Sequence, residues 1–290
     1  MDQVLQLIAA GVTAGCIYAV IALSFEIAYE ATGVVNFATG HLVTLGALIG
    51  ISTVGFGAGP SGSYVVVMAA MAVVGLTFFV AGYWPLRHRD VIIIIIGTVA
   101  IGIFIQNVGL LIWGALPRSL PSPAGGGTFV VGGVPLAYHT LYVVVATAVL
   151  IGLVYVLLYR SSFGRQMRAL AQDPDAARLM GIRVNVIYGA TWVIVCGMAG
   201  LAGLLLAPMW FVDVTLGDSL ALKAFAAAVI GGFGSIPGAI IGGLLVGLTE
   251  ILAGFYITSQ FKEAIVFLLM VAFLVVRPQG IFGERISDKA

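Results

Sequence analysis

The sequence predicts an all-α protein, a polytopic transmembrane bundle of about eight or nine spans with broken helices among them. Of its 290 residues, 61% are hydrophobic and only 9% are charged, and the mean hydropathy is +1.15. Apolar runs long enough to cross a bilayer as a helix recur along the whole chain. The 39 glycines indicate close helix–helix contacts and breaks in helices rather than disorder. We therefore expect residues 1–290 to form one transmembrane domain.

Nine apolar segments are the candidate spans. The first has no basic leader region and is too long for a cleavable signal, so we expect the protein to retain it. Several segments are short for a bilayer that needs about 20 residues, and the seventh is short enough to be half a helix. In chain order the predicted spans are residues 4–28, 41–56, 64–84, 91–113, 140–158, 187–210, 219–230, 238–256 and 263–276.

Cationic residues are distributed asymmetrically about these spans. With nine crossings, ten of them fall on one side and Arg118 alone falls on the other, while Lys223 and Lys262 lie within or beside spans. The positive-inside rule then places the C-terminus in the cytoplasm and the N-terminus outside. The net charge of +1 gives no indication of a nucleic-acid partner. The cytoplasmic set is Arg87, Arg89, Arg160, Arg165, Arg168, Arg178, Arg183, Arg277, Arg285 and Lys289.

The polar stretch 161–183 lies on the cytoplasmic side and holds four of the ten arginines. Its residues predict two short helices. Ser161 or Ser162 caps the first, and Asp173 caps the second, which has a proline at its first position and Gly181 just past its end. Such a loop is suited to contact a partner outside the membrane, although a solvated connector that obeys the positive-inside rule explains it equally well.

On the opposite side, the loop 114–139 is rich in proline and glycine. Its residues 128–136 favour a small hairpin around Gly132 and Gly133. This extracytoplasmic loop either contacts a partner on that face or is only a connector.

A polar, glycine-flanked segment, 33–40, separates the first two spans. Unwound backbone at membrane depth is tolerated only where it faces protein or a water-filled cavity. The segment and its flank therefore provide candidate residues for a translocation pathway, namely Asn36, Phe37, Thr39 and His41. A cytoplasmic turn between two spans explains the spacing equally well.

The glycines of segment 229–238 superficially suggest a phosphate-binding loop, but the Gly-Lys-Ser/Thr ending is absent. We therefore expect no ATP to bind to this chain. The pattern instead predicts a helix break that contains Gly231, Gly232 and Gly234, with Pro237 beginning the next helix.

Ionisable residues within the spans need an explanation, because a charge at the bilayer centre costs roughly 2.5–3.5 kcal/mol. Lys223 and Glu250 either line the pathway or pair with each other and fix two helices together, and pairing is slightly favoured. Glu26 and Glu30 are expected at the membrane interface. Asp213 and Asp218 are further polar candidates near the outer face.

No catalytic or metal site is expected. The two cysteines, Cys16 and Cys196, both lie inside apolar runs, so neither a disulfide framework nor a cysteine metal site is plausible. No nucleophile–base pair is evident, which disfavours an intramembrane enzyme. A channel would show polar residues at regular spacing along several spans, and none is seen.

Four stretches together resemble one known family over essentially the whole chain. They are segment 33–40 with its Asn-Phe-Ala core, the loop residues 164–182, the segment 223–250 and the C-terminal 277–283. The segment 223–250 is the most specific. On these residues the chain resembles the permease subunits of ABC importers for branched-chain amino acids.

The resemblance implies a transporter subunit of the bacterial inner membrane, not an enzyme. Two permease subunits, usually non-identical, would form the pathway; two cytoplasmic ATPase subunits would carry the ATP and Mg²⁺; and a periplasmic binding protein would deliver substrate. This chain itself would bind no cofactor.

Stretch 161–183 would be the coupling loop, in which Ala176, Ala177 and Gly181 match the family's Ala-Ala…Gly core and Asp175 replaces the usual glutamate. The implied coupling residues are Arg165, Arg168, Asp173, Asp175, Ala176, Ala177 and Gly181.

One departure from the family leaves the cargo open. Where relatives commonly carry histidine and glutamate around the glycine after Asn-Phe-Ala, this chain has Thr39 and His41. Without that acid, we expect a substrate with a neutral or negative polar end to be favoured over one that needs a local anion. Relatives that carry amides, urea or small carboxylates therefore remain alternatives. So does an ion-coupled secondary transporter, which would also have broken helices but would not need the capped loop.

Overall fold

The computed structural model describes residues 2–131 and 133–283, and they form a helical bundle with one small hairpin. The first four helices are α1 (Asp2–Thr32), α2 (Thr39–Gly55), α3 (Pro60–Thr77) and α4 (Val91–Trp113). Strands β1 (Thr128–Val131) and β2 (Val134–Ala137) precede α5 (Tyr138–Tyr155), α6 (Ser162–Gln172) and α7 (Pro174–Leu179). The remaining helices are α8 (Val184–Leu206), α9 (Leu216–Gly231), α10 (Ile236–Tyr256) and α11 (Lys262–Val276). Wider π-helical turns extend α3 through Phe78–Tyr83 and α5 through Val156–Arg160.

The predicted all-α membrane bundle is confirmed. Six helices are long and apolar enough to cross a membrane, and α2 is a shorter apolar helix. Each predicted span falls on one helix, and Val91–Trp113 has the predicted bounds. The largest differences in bounds are at the ends of α1 and α8. Helix α1 continues to Thr32 and ends where Gly33 adopts a φ of +69°, a left-handed conformation that favours glycine. Helix α8 stops at Leu206, before the irregular segment 207–215.

Helix α1 is the centre of the bundle. Every residue from Thr13 to Ala28 is buried, and α1 packs against α5, α8, α9 and α10. Its contact with α10 depends on glycine: a Cβ built on Gly243 would lie 2.5 Å from the backbone nitrogen of Ala19. The two backbones therefore approach more closely than larger side chains would allow.

The bundle has two distinct ends. At the loop end, Gly33 and the α6 residue Leu170 line one cavity with Gly234 of the turn after α9. Residues 277–283 reach the same end, where the amide of Ile281 donates to the carbonyl oxygen of Ile230 over 2.9 Å.

At the hairpin end, Leu5 of α1 lines a cavity with Phe129 and Leu136 of the two strands. The chain therefore begins near one end of the bundle, and its described C-terminal residues lie at the other.

The predicted hairpin is confirmed as an antiparallel pair in which Thr128 lies opposite Ala137. Gly133 has a φ of +89° in its turn, while Gly132 lies outside the described residues. Arg285 and Lys289, both counted in the predicted cytoplasmic set, also lie outside them.

Candidate functional site

Two irregular segments, 33–38 and 207–215, enter the bundle and end where α2 and α9 begin. The first turns of these two helices touch through glycine. A Cβ on Gly217 would lie 2.9 Å from the backbone nitrogen of His41, and one on Gly40 would lie 2.7 Å from that of Ala221. Gly102, at the middle of the full-length α4, packs against His41. The N-terminal ends of α2 and α9 therefore meet near the middle of the membrane-spanning layer, and we call this place the α2–α9 junction.

The segment before α2 is largely buried within the protein, which favours a break inside the bundle over a cytoplasmic turn between two spans. Asn36 is 1% exposed, and its Oδ1 accepts a hydrogen bond from the backbone amide of Ala38 over 3.1 Å. The amide of Phe37 donates to Oγ1 of Thr98 over 3.1 Å, and the buried Thr39 donates its hydroxyl to the Asn36 carbonyl oxygen over 2.8 Å. Within the described part of the chain, Nδ2 of Asn36 is buried without a partner. Asn36 thus shapes the break and leaves one buried donor available.

An acid that the sequence placed near the outer face lies at this junction. Nε2 of His41 is 3.3 Å from Oδ1 of Asp218, in the first turn of α9. Nε2 of Gln106 donates to Oδ2 of Asp218 over 3.2 Å. The His41 side chain is 7% exposed, whereas that of Asp218 is 60% exposed. An acid is therefore present at this level, because α9 supplies the carboxyl group that positions 39 and 41 lack.

A polar cleft of about 420 Å³ opens beside the junction, toward the hairpin end. Gln106, Asn107, Pro117 and Thr215 contribute to its lining. Elsewhere the outer face of α4 is apolar, with exposed side chains such as Ile103. Polar side chains exposed within a membrane-spanning helix point to water or protein rather than lipid.

Lys223 and Glu250 pair with each other, as the slightly favoured interpretation expected. Nζ of Lys223 is 2.9 Å from Oε1 of Glu250 and 2.9 Å from Oε1 of Glu263. Tyr18 donates its hydroxyl to Oε2 of Glu250 over 2.5 Å, and Nζ of Lys262 lies 3.4 Å from Oε1. Lys223 is 5% exposed and Glu250 is 3% exposed. This network, which joins α1, α9, α10 and α11, already satisfies both charges.

Glu26 lies near the loop end, and its side chain is buried within the protein. Glu26 is 2% exposed, and its Oε2 accepts a hydrogen bond from the amide of Gly234 over 2.6 Å. The side chain therefore caps the turn between α9 and α10. Its spacing from Glu30 could not reveal this, because the donor comes from a distant part of the chain.

The predicted break after α9 is confirmed. Helix α9 ends at Gly231, and α10 begins at Ile236 with Pro237 in its first turn. Gly232 and Gly234 have φ values of +98° and +85°. The backbone of residues 279–283 packs on this turn, and the amide of Phe282 donates to the Gly231 carbonyl oxygen over 2.9 Å.

Replacing Gly232 by alanine should loosen residues 279–283, and Gly234→Ala is the matched control. Both changes place a side chain at positive φ, which costs about 1–2 kcal/mol. Only the Cβ at position 232 also meets backbone, 2.7 Å from the oxygen of Gln279, whereas nothing lies within 4 Å of a Cβ at position 234. We expect the amides of Ile281 and Phe282 to exchange hydrogen about tenfold faster in Gly232→Ala than in Gly234→Ala. Equal exchange in the two variants would contradict this packing.

The two capped helices of stretch 161–183 are confirmed. Ser161 Oγ accepts from the Gly164 amide over 3.2 Å, and Asp173 Oδ1 accepts from the amides of Asp175 and Ala176 over 2.9 and 3.0 Å. Gly181 follows α7 with a φ of +82°.

The residues expected to contact a partner divide into two groups. Arg168 donates to the Leu158 carbonyl oxygen over 2.6 Å, and Ala177 is buried, so both hold the loop to the bundle. The others are exposed, and Arg178 pairs with Asp175 over 2.7 Å. The exposed members are Arg165, Asp173, Asp175, Ala176 and Gly181.

Two exposed apolar residues at this surface were missed by sequence reasoning. Leu179 is 89% exposed and Met180 is 84% exposed, at the end of the second capped helix. The signal was present as two adjacent large apolar residues at the end of the predicted helix.

Comparison with known proteins identifies relatives of the whole chain. A family model described as "Branched-chain amino acid transport system / permease component" matches residues 7–274. The high-affinity branched-chain amino acid transport system permease protein LivH of Escherichia coli K12 is 32% identical over 296 residues, which cover 96% of this chain and 95% of that protein. The corresponding protein BraD of Pseudomonas aeruginosa is 32% identical over 300 residues, which cover 98% and 97%.

Among solved structures, PsaBC from Streptococcus pneumoniae in complex with Fab is similar with a TM-score of 0.50 and 12% identity. The match covers 93% of this chain and 91% of that chain. At this identity the likeness concerns the fold alone.

Proposed function

This chain belongs to the family of branched-chain amino acid transport permease components, as its residues indicated, and from that premise we propose how it works. It forms one side of the translocation pathway of an ABC importer for branched-chain or related small amino acids. The observation that carries this proposal is the α2–α9 junction, where two broken segments bring Asp218 and His41 together inside the bundle. Discontinuous helices that meet near the bilayer midplane are a recurrent way to build a substrate pathway.

A second permease subunit completes the pathway. Asp218 and Asn107 are exposed on this chain at a depth where lipid would make them costly. A partner that covers this face of α4 and α9 encloses these groups in a shared polar channel. By the resemblance, the partner is a non-identical permease, and the pair is a heterodimer.

The loop end faces the cytoplasm, as the arginine asymmetry predicts, and α6 and α7 form the coupling surface for two ATPase subunits. Those subunits hold the ATP and Mg²⁺, and this chain holds neither. The hairpin end, with the loop 114–139, faces the periplasmic binding protein. Residues 277–283 share the loop end, which supports a cytoplasmic C-terminus in the bacterial inner membrane.

The residues assigned to the pathway contribute unequally. Asn36, Phe37, Thr39 and His41 shape the junction and its approach from the loop end. Lys223 and Glu250 act as a structural tie instead, because their charges already satisfy each other in a buried position.

Replacing Leu179 by aspartate should weaken docking of the ATPase subunits, because a charge would enter a contact that an apolar side chain fills. Leu116→Asp is the matched control, since Leu116 is 78% exposed but lies in the loop toward the hairpin end. We expect co-purification of the ATPase subunits, and ATP hydrolysis without binding protein, to fall about tenfold in Leu179→Asp. Leu116→Asp should change neither. Unchanged assembly and hydrolysis in Leu179→Asp would remove this surface from the coupling mechanism.

A further inference from the structure

We propose that Asp218, held by His41 and Gln106, is the intramembrane contact for the ammonium group of a zwitterionic amino acid. The inference rests on the proposed transport function and adds the residue that would contact the ammonium group of the substrate. An α-amino acid carries an ammonium group through the midplane, where an unpaired charge is costly. The pathway therefore needs an anion at that depth.

Asp218 is positioned to supply this anion. Nε2 of His41 lies 3.3 Å from one carboxylate oxygen of Asp218, and Nε2 of Gln106 donates to the other over 3.2 Å. These contacts fix the carboxylate without cancelling its charge. The Asp218 side chain is 60% exposed, and its partner Gln106 lines the cleft.

Neighbouring charged groups are already engaged. Oδ1 of Asp213 accepts from the amide and hydroxyl of Thr215 over 2.7 and 2.6 Å, and from the Leu216 amide over 3.0 Å, so it caps the start of α9. Arg118 donates to the Trp113 carbonyl oxygen over 2.9 Å. Lys223 is paired with two carboxylates in the network described above. Asp213 also lines the cleft, but among the described residues Asp218 is the acid that contacts both His41 and Gln106.

Two variants separate this role from a general need for negative charge. Asp218→Asn removes the charge and keeps a side-chain oxygen for Gln106. Asp213→Asn removes a charge five positions away but keeps the side-chain oxygen that caps α9. The assay is leucine uptake into proteoliposomes that contain the complete importer, expressed per assembled complex.

We expect Asp218→Asn to lower the initial rate of leucine uptake about tenfold or more, because a charge-assisted contact is lost. Asp213→Asn should transport at close to the wild-type rate and show unchanged basal ATP hydrolysis. Equal uptake by Asp218→Asn and wild type would overturn the inference and leave the importer function standing. If the wild-type complex itself moves no leucine on addition of ATP, the proposed function fails instead.

A rescue experiment keeps the inference testable if Asp218→Asn assembles poorly. Because position 41 lies beside the carboxylate, His41→Glu combined with Asp218→Asn restores one acid at the junction. The double variant should recover most of the leucine uptake, whereas His41→Glu alone places two acids together and should lower it. A double variant that assembles normally but does not transport would show that a carboxylate at the junction is insufficient, against the inference.

Discussion

Replacing Lys223 by methionine should destabilise the protein by about 3 kcal/mol, the lower end of the cost of breaking a buried ion pair, because Glu250 loses its buried cation and keeps weaker partners. The carboxylate of Glu250 is almost fully buried and would keep the Tyr18 hydroxyl and the half-exposed Lys262 as its only charged or polar partners among the described residues. By the same argument, Glu250→Met leaves Lys223 with Glu263, whose side chain is 48% exposed. Thermal unfolding of the purified protein in detergent should show each single variant melting roughly 10 °C lower.

The double variant Lys223→Met/Glu250→Met should recover most of this loss. Replacement of both members of a buried ion pair by apolar residues of similar volume is often neutral or stabilising. Lys262→Met is the matched control, since Lys262 contacts the same carboxylate at 3.4 Å from a 41% exposed position, and should cost about 1 kcal/mol or less.

The double variant also tests whether the pair belongs to the pathway. A stable double variant that still transports leucine would support a structural tie. Single variants that melt like the wild type would contradict the tie itself.

Local signals allowed several elements to be predicted from the sequence. Asp173 and Pro174 fixed the start of α7, because a cap and a proline act within one turn of their own position. Helix α4 has the bounds predicted for its apolar run, which Asp90 and Gly114 flank. Pro237 marked the restart of the helix after the break for the same reason.

Contacts between distant parts of the chain were beyond sequence reasoning. The pairing of His41 with Asp218 depends on how the irregular segment 207–215 re-enters the bundle, and apolar periodicity carries no information about such a path. The burial of Glu26 was not predictable for a similar reason, because its partner is a backbone amide on the turn after α9. The Lys223–Glu250 pair was predicted as an alternative, because a charge within an apolar helix is costly unless an opposite charge lies beside it. The additional partners of the pair, Tyr18 among them, were not predicted.

Replacing Gly247 by alanine should destabilise the protein, whereas the same change at Gly254 in the same helix should not. A Cβ on Gly247 would overlap the backbone of Gly15 and lie 2.7 Å from the Gly11 carbonyl oxygen, so α1 and α10 would have to separate. The nearest atom to a Cβ on Gly254 is Cδ of Lys262 at 3.7 Å, an ordinary contact.

Because alanine is the better helix former by about 0.5–1 kcal/mol, Gly254→Ala should be neutral or slightly stabilising. Overpacking at Gly247 should instead cost about 3 kcal/mol, and the melting temperatures of the two variants should therefore shift in opposite directions from that of the wild type. Equal shifts would mean that the backbones of α1 and α10 are not held together at this glycine. The close approach of these helices also brings Tyr18 to Glu250, so Gly247→Ala should weaken the buried charge network at the same time.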